Sequence, residues 1–279
     1  MITMTTFIDS LVKSLNMVKK NWKILPIIGA LDLLFFFLLG MLSSMFKNAS
    51  GPYLSAIVSQ AGKLTVDVSL ALAQSKSGLA VLLSDLTLTS NLGSVLFVTL
   101  LSSAALCIIW VMVQGLAWFY ANKIAEKNYK NYLSSFSKTS LFWFVSVLVY
   151  FILLTFSSLI TQIRTTPLIP SALLRLIGAA ILLLIIYFAF ISIALVPMNL
   201  KQNLKKTFSS GVRNVFSFIV AYALIFLVLA ANFQITYFLF KSFINGTSFI
   251  SYLFIVLRML LALPFLAWAR IYLIEMAKN

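Results

Sequence analysis

The stretch WKILPIIGALDLLFFFLLGMLSSMF, Trp22–Phe46, decides the fold class. Leu, Ile and Phe dominate it, and its only charges are Lys23 and Asp32. A helix that crosses the hydrocarbon core of a bilayer needs about 20 mostly apolar residues. This run supplies them in one piece, and it is too long and too evenly apolar for a barrel strand. Five more segments pass the same test: Leu92–Ala121, Leu141–Ile163, Ala172–Pro197, Val212–Phe240 and Phe249–Ile274. The pattern predicts an all-α polytopic membrane protein, one membrane domain over residues 1–279 with six transmembrane helices.

Composition points the same way. Of the 279 residues 62% are hydrophobic and 10% charged, against about 45–50% and 25% in a soluble domain. The net charge is +15. A basic balance can signal nucleic acid, but here the Lys and Arg residues flank apolar runs, so the expected counter-charge is anionic lipid headgroup. No nucleic-acid partner is expected; a membrane-protein partner or a second copy of the chain is compatible with the pattern. The single cysteine, Cys107, lies inside an apolar run and reads as a small buried hydrophobe. Met1–Asn21 has no continuous apolar stretch followed by a small-residue cleavage site, so the first span is expected to be retained.

The basic residues also orient the chain. With the N-terminus inside, 14 of the 21 Lys and Arg fall on the cytoplasmic side and 7 on the other, which predicts both termini in the cytoplasm of a cell membrane. Two N-x-[ST] sequons, at Asn48 and Asn245, fall on the predicted outer side. The outer loop over residues 47–91 carries Leu54, Ile57, Val58, Ala61, Leu64, Val68, Ala71 and Leu72 at helical spacing. One or two amphipathic helices on the membrane surface are expected there, the second over Leu79–Leu86. A re-entrant hairpin is the alternative, opposed by Asp67, Lys76 and Asp85. Residues 1–21 form another amphipathic segment. Phe7, Ile8, Leu11, Leu15 and Val18 share a face, and Asp9, Lys13, Asn16 and Lys20 lie elsewhere around the helix, as in an interfacial helix.

Three stretches on the cytoplasmic side resemble one another: Lys13–Asn16 with Lys20, Ser134–Ser137, and Lys206–Ser209 with Arg213. Aligning Phe136 with Phe208 also pairs Asn131 with Asn203, Phe144 with Phe216, and Tyr150 with Tyr222. This suggests three repeats, each an interfacial elbow helix followed by a transmembrane hairpin. Candidate lipid-headgroup contacts on these elbows are Lys13, Lys19, Lys20, Lys130, Lys138, Lys205, Lys206 and Arg213.

Three motifs carry a resemblance: VKKNWKILPIIGALDLLFFF (Val18–Phe37), LKKTFSSGVRNVFSF (Leu204–Phe218) and LPFLAWARIYLIEM (Leu263–Met276). They resemble the membrane domain fused to some bacterial glycerophosphoryl diester phosphodiesterases, and related stand-alone prokaryotic membrane proteins. The resemblance implies a six-helix fold with interfacial elbows in a prokaryotic membrane. It implies no chemistry here, because the phosphodiesterase catalytic domain needs histidines and clustered carboxylates.

The chain has no histidine, so the commonest general base and metal ligand is missing. Its six acids, Asp9, Asp32, Asp67, Asp85, Glu126 and Glu275, are scattered, and no two share a helical turn. No Gly-rich phosphate loop appears. A Ser-Lys pair is the one catalytic arrangement the composition leaves open. No catalytic residue, cofactor or metal is assigned, and the chain is not expected to be an enzyme.

The informative residues are the charges inside the membrane. Asp32 lies nine residues past Lys23, and Arg258 nine residues past Phe249 on the opposite side, each about 13 Å deep at the helical rise. Their depths nearly match in a core about 30 Å thick, so Asp32 and Arg258 form the candidate intramembrane polar site. They either line a polar path or form a structural ion pair joining the first and last spans, unless Asp32 is simply protonated. Arg270 lies close enough to the cytoplasmic face to snorkel. Gln114, Gln162, Asn232 and Gln234 read as interhelical hydrogen-bonding residues. Pro26, Pro197 and Pro264 mark kinks or span ends, and Trp22, Trp118, Tyr120, Tyr252 and Tyr272 fit interfacial belts. The functional expectation is a non-catalytic membrane component that organises lipid or a partner complex. The alternative is a small transporter or channel built on Asp32 and Arg258.

Overall fold

The structure, a computed structural model, describes residues 4–73, 86–125, 131–163, 170–244 and 248–278. It is all-helical, with no strand among the described residues. In chain order the helices are α1 (Met4–Lys20), α2 (Leu25–Ala73), α3 (Leu86–Ile109), a π turn (Trp110–Gln114), α4 (Gly115–Ile124) and α5 (Tyr132–Ile163). They continue with α6 (Ser171–Ala194), α7 (Leu200–Arg213), α8 (Val215–Ile244) and α9 (Ser248–Lys278). Six spans among the described residues are long and apolar enough to cross a membrane: Leu25–Ile57, Thr89–Ile124, Tyr132–Leu154, Ala172–Ala194, Val215–Phe238 and Leu260–Ala277.

Several boundaries differ from the sequence reading, each for a local reason. Helix α2 does not stop at Phe46. It runs through Asn48-Ala49-Ser50 and Pro52 to Ala73, absorbing the first surface helix expected in the outer loop. Ser50 bends its hydroxyl back onto the Phe46 carbonyl (2.7 Å) and Ser55 does the same to Pro52 (2.8 Å), so both hydroxyls find partners within the helix. The first sequon is therefore helical, with Ser50 buried. The second sequon, Lys76, Asp85 and all of Leu79–Leu86 except Leu86 lie outside the described residues. Pro26 sits in the first turn of α2, where its missing N–H costs nothing. Pro197 follows the end of α6, and Pro264 is inside α9.

The three stretches read as elbows behave differently. Residues 21–24 form a turn that separates α1 from α2, and Asn214 separates α7 from α8. The middle stretch runs straight into its span as the first turns of α5. It starts at Asn131, whose φ of 62° is the left-handed conformation that Asn tolerates, and whose carbonyl accepts the Ser135 N–H.

The chain divides into two compact units. The first comprises Met1–Phe36, Trp110–Val145 and Leu183–Asn279. Helix α9 is its centre, packing against α1, α4 and α8. Residues from Ile271 to Ala277 are buried without interruption, as expected of a helix enclosed on all sides. Ile28, Trp118, Tyr132, Phe136, Phe218 and Tyr272 anchor the core around it. The second unit comprises Phe37–Ile109 and Ser146–Leu182. Within it Tyr150 donates to the Gly178 carbonyl (2.8 Å), at a glycine whose neighbours leave little room for a side chain.

Candidate functional site

The site lies in the first unit, where a charge on α2 meets one on α9. Asp32 is the eighth residue of its span, and Arg270 is the eighth counted back from the end of the last span at Ala277. Each therefore sits about 10 Å inside a span terminus at the helical rise. The two residues meet in the structure, each the same number of residues from its span end.

The contacts are closed. Arg270 Nη1 donates to Asp32 Oδ2 (2.6 Å), and its Nη2 donates to Asp32 Oδ1 and to Gln114 Oε1 (2.7 Å). Gln114 Nε2 donates to Asp32 Oδ1 (3.0 Å). The fork of the guanidinium thus grips the carboxylate bidentately, the geometry that gives Arg–carboxylate pairs their directionality. The Arg270 guanidinium also lies over the Trp118 ring, 5.7 Å from its centroid. Asp32 is 1% exposed and the Arg270 side chain 12%. No formal charge is left over.

Gln114 reaches this position through the π turn. A π turn adds one residue to a helical turn and changes the direction of every side chain beyond it. Trp110 opens the turn and donates its indole N–H to Ser140 Oγ (3.3 Å), while Gln114 closes it facing Asp32. Beside the triad lies an apolar cavity of about 370 Å³, whose walls include Phe35, Trp110, Phe190, Tyr222, Leu229 and Leu266.

Asp32 is buried and paired, but its partner is Arg270. The side chain of Arg258 lies outside the described residues, and its position on α9 is twelve residues, about 18 Å, from Arg270. Arg270 does not snorkel, because Asp32 and Gln114 satisfy it in place. Trp118 and Tyr272, expected in an interfacial belt, are core residues at 2% and 0% exposure. One lies under the guanidinium and the other stacks on Trp268 at 5.5 Å. Gln114 and Asn232 do make interhelical hydrogen bonds, the latter to the Leu261 carbonyl at 3.4 Å.

Of the candidate headgroup contacts, Lys13 pairs with the buried Glu275 at 2.8 Å while remaining largely exposed. Lys19, Lys20, Lys138, Lys205 and Arg213 are exposed, Lys206 is half-buried, and Lys130 lies outside the described residues. Gln202, Lys205, Lys206, Ser209, Ser210 and Arg213 line a recess of about 520 Å³ on α7. The opposite face of α7 is fastened to α6. Asn203 donates to the Ser192 carbonyl (2.8 Å) and accepts from the hydroxyls of Ser192 (2.6 Å) and Thr207 (3.1 Å), and Tyr187 donates to the Gly211 carbonyl (2.8 Å). This clamp fixes which side of α7 presents its cations.

No known protein family, no curated protein and no solved structure matches this chain.

Proposed function

We propose that the protein is a non-catalytic membrane component that organises anionic lipid through its basic elbow helices, above all α7. The observation that carries this reading is the α7 recess. Two lysines and an arginine are grouped there with Gln202, Ser209 and Ser210, on a helix fixed between two apolar spans. That places cations and neutral hydrogen-bond donors together at a span boundary, the chemistry that holds a phosphate-bearing headgroup. Lys19 and Lys20 at the end of α1 add a second basic contact. The excess of Lys and Arg on one side of the spans supports cytoplasmic termini. The resemblance of Val18–Phe37, Leu204–Phe218 and Leu263–Met276 supports a prokaryotic cell membrane as the location.

The alternative, a small transporter or channel using the intramembrane charges, has one observation in its favour: the cavity of about 370 Å³ ends on Asp32 and Arg270. Against it, the two charges satisfy each other and the remaining lining is almost wholly apolar. A conducting path needs polar groups free to exchange partners with the permeant species.

The test is thermal stability in nanodiscs of phosphatidylcholine with and without phosphatidylglycerol. A ligand that binds only the folded state raises its melting temperature. The wild type should gain stability with the anionic lipid, and the variant carrying Lys205→Gln, Lys206→Gln and Arg213→Gln should lose most of that gain. An equal gain in both would remove α7 from the account.

A further inference from the structure

We infer that the apolar cavity beside Asp32 and Arg270 is a binding site for one hydrocarbon chain of a membrane lipid, entering sideways from the bilayer. This goes beyond the headgroup reading and stands on separate observations.

The first is the chemistry of the walls. Phe35, Trp110, Phe190, Leu229 and Leu266 contribute apolar surface on several sides, and the volume falls within the range of ligand sites. Apolar cavities stay dry and accept apolar guests, so water is a poor occupant.

The second is the state of the polar end. Asp32 and Arg270 cancel in charge, and Asp32 accepts from both Arg270 and Gln114. Nothing is left there to attract an ion or a charged headgroup, so the matching ligand is uncharged.

The third is the mouth. Phe36 and Phe190 line the cavity yet are 41% and 36% exposed. Both lie within spans, so the surroundings they face are lipid acyl chains. The nearest abundant molecule of the right chemistry is therefore already at the opening.

The experiment uses the full chain in nanodiscs of phosphatidylcholine doped with a phosphatidylcholine bearing a diazirine in its acyl chain. Irradiation and peptide mapping read the labelled residues. The neutral headgroup keeps the result independent of anionic selectivity at α7. Labelling of Leu229 and Leu266 is expected alongside outward residues such as Phe97 and Phe238. Labelling confined to the outward residues would overturn the proposal. Leu229→Trp, which narrows the cavity at its wall, should cut labelling at Leu266 severalfold and leave Phe97 unchanged. Should that variant not fold, Leu266→Phe read at Leu229 gives the same comparison. Undiminished labelling in a folded narrowing variant would also overturn it, since the chain would then be reaching these residues by another route.

Discussion

Asp32 shows how a single residue can be read correctly for importance and wrongly for partner. The sequence marked it as a buried charge that must be compensated. It offers two arginines on the last span, and depth counted from Phe249 at the opposite end of that span favours Arg258. Extending the span to Ala277 places Arg270 at the same depth as Asp32, a match visible in the numbering once the helix end is known. What no residue pattern displayed was the π turn that brings Gln114 into the pair. The closed triad makes a definite energetic prediction. Removing one member of a buried pair strands the other charge and typically costs about 3–5 kcal/mol, whereas replacing both by apolar residues is often neutral. Asp32→Ala should therefore destabilise the protein by about that amount in denaturant unfolding, and the double variant Asp32→Leu, Arg270→Met should recover most of it. A single variant as stable as the wild type would show that the pair is not closed.

At the scale of elements, the six apolar runs were legible because bilayer thickness imposes a length and leaves little freedom in composition. Their ends were not. Ser50 and Pro52 look like breakers but are accommodated inside α2, and the middle elbow continues into α5 as unbroken helix although Ser134, Ser135, Ser137, Lys138, Thr139 and Ser140 are polar. The similarity of Asn131 to Asn203 likewise hid two different jobs. Asn131 opens a helix with a positive φ, whereas Asn203 ties α7 to α6 through Ser192. The α7 clamp has a tight point at Gly211, where an added Cβ would lie 2.7 Å from the Phe188 ring. That ring is itself held against Phe208 and Tyr187, so it has little room to yield. Gly211→Ala should lower stability by about 1–3 kcal/mol, the usual range for overpacking, measurable as a shift in the unfolding transition. The same substitution at Gly40, which has nothing within 4 Å, should be neutral.

For the whole molecule, charge asymmetry predicts the orientation that the helices alone leave open. Pro170 and Asn199 are exposed residues at opposite ends of the fourth span. In a Cys107→Ala background, Pro170→Cys should react with an impermeant maleimide in intact cells, and Asn199→Cys only after permeabilisation. The reverse pattern would invert the topology and put the α7 cations on the outer leaflet. Composition excluded a soluble fold at once, since a chain this apolar needs lipid as its solvent. Function was less legible, because the α7 recess depends on the angle between an amphipathic helix and its neighbours, which no hydropathy pattern encodes.

The claim that α7 selects anionic lipid is tested most directly by native mass spectrometry of the protein released from bilayers of equal phosphatidylglycerol and phosphatidylcholine. The account predicts that retained lipid is enriched severalfold in phosphatidylglycerol. It also predicts that the Lys205→Gln, Lys206→Gln, Arg213→Gln variant returns the ratio close to that of the bulk. Retained lipid that mirrors the bilayer composition in the wild type would contradict it.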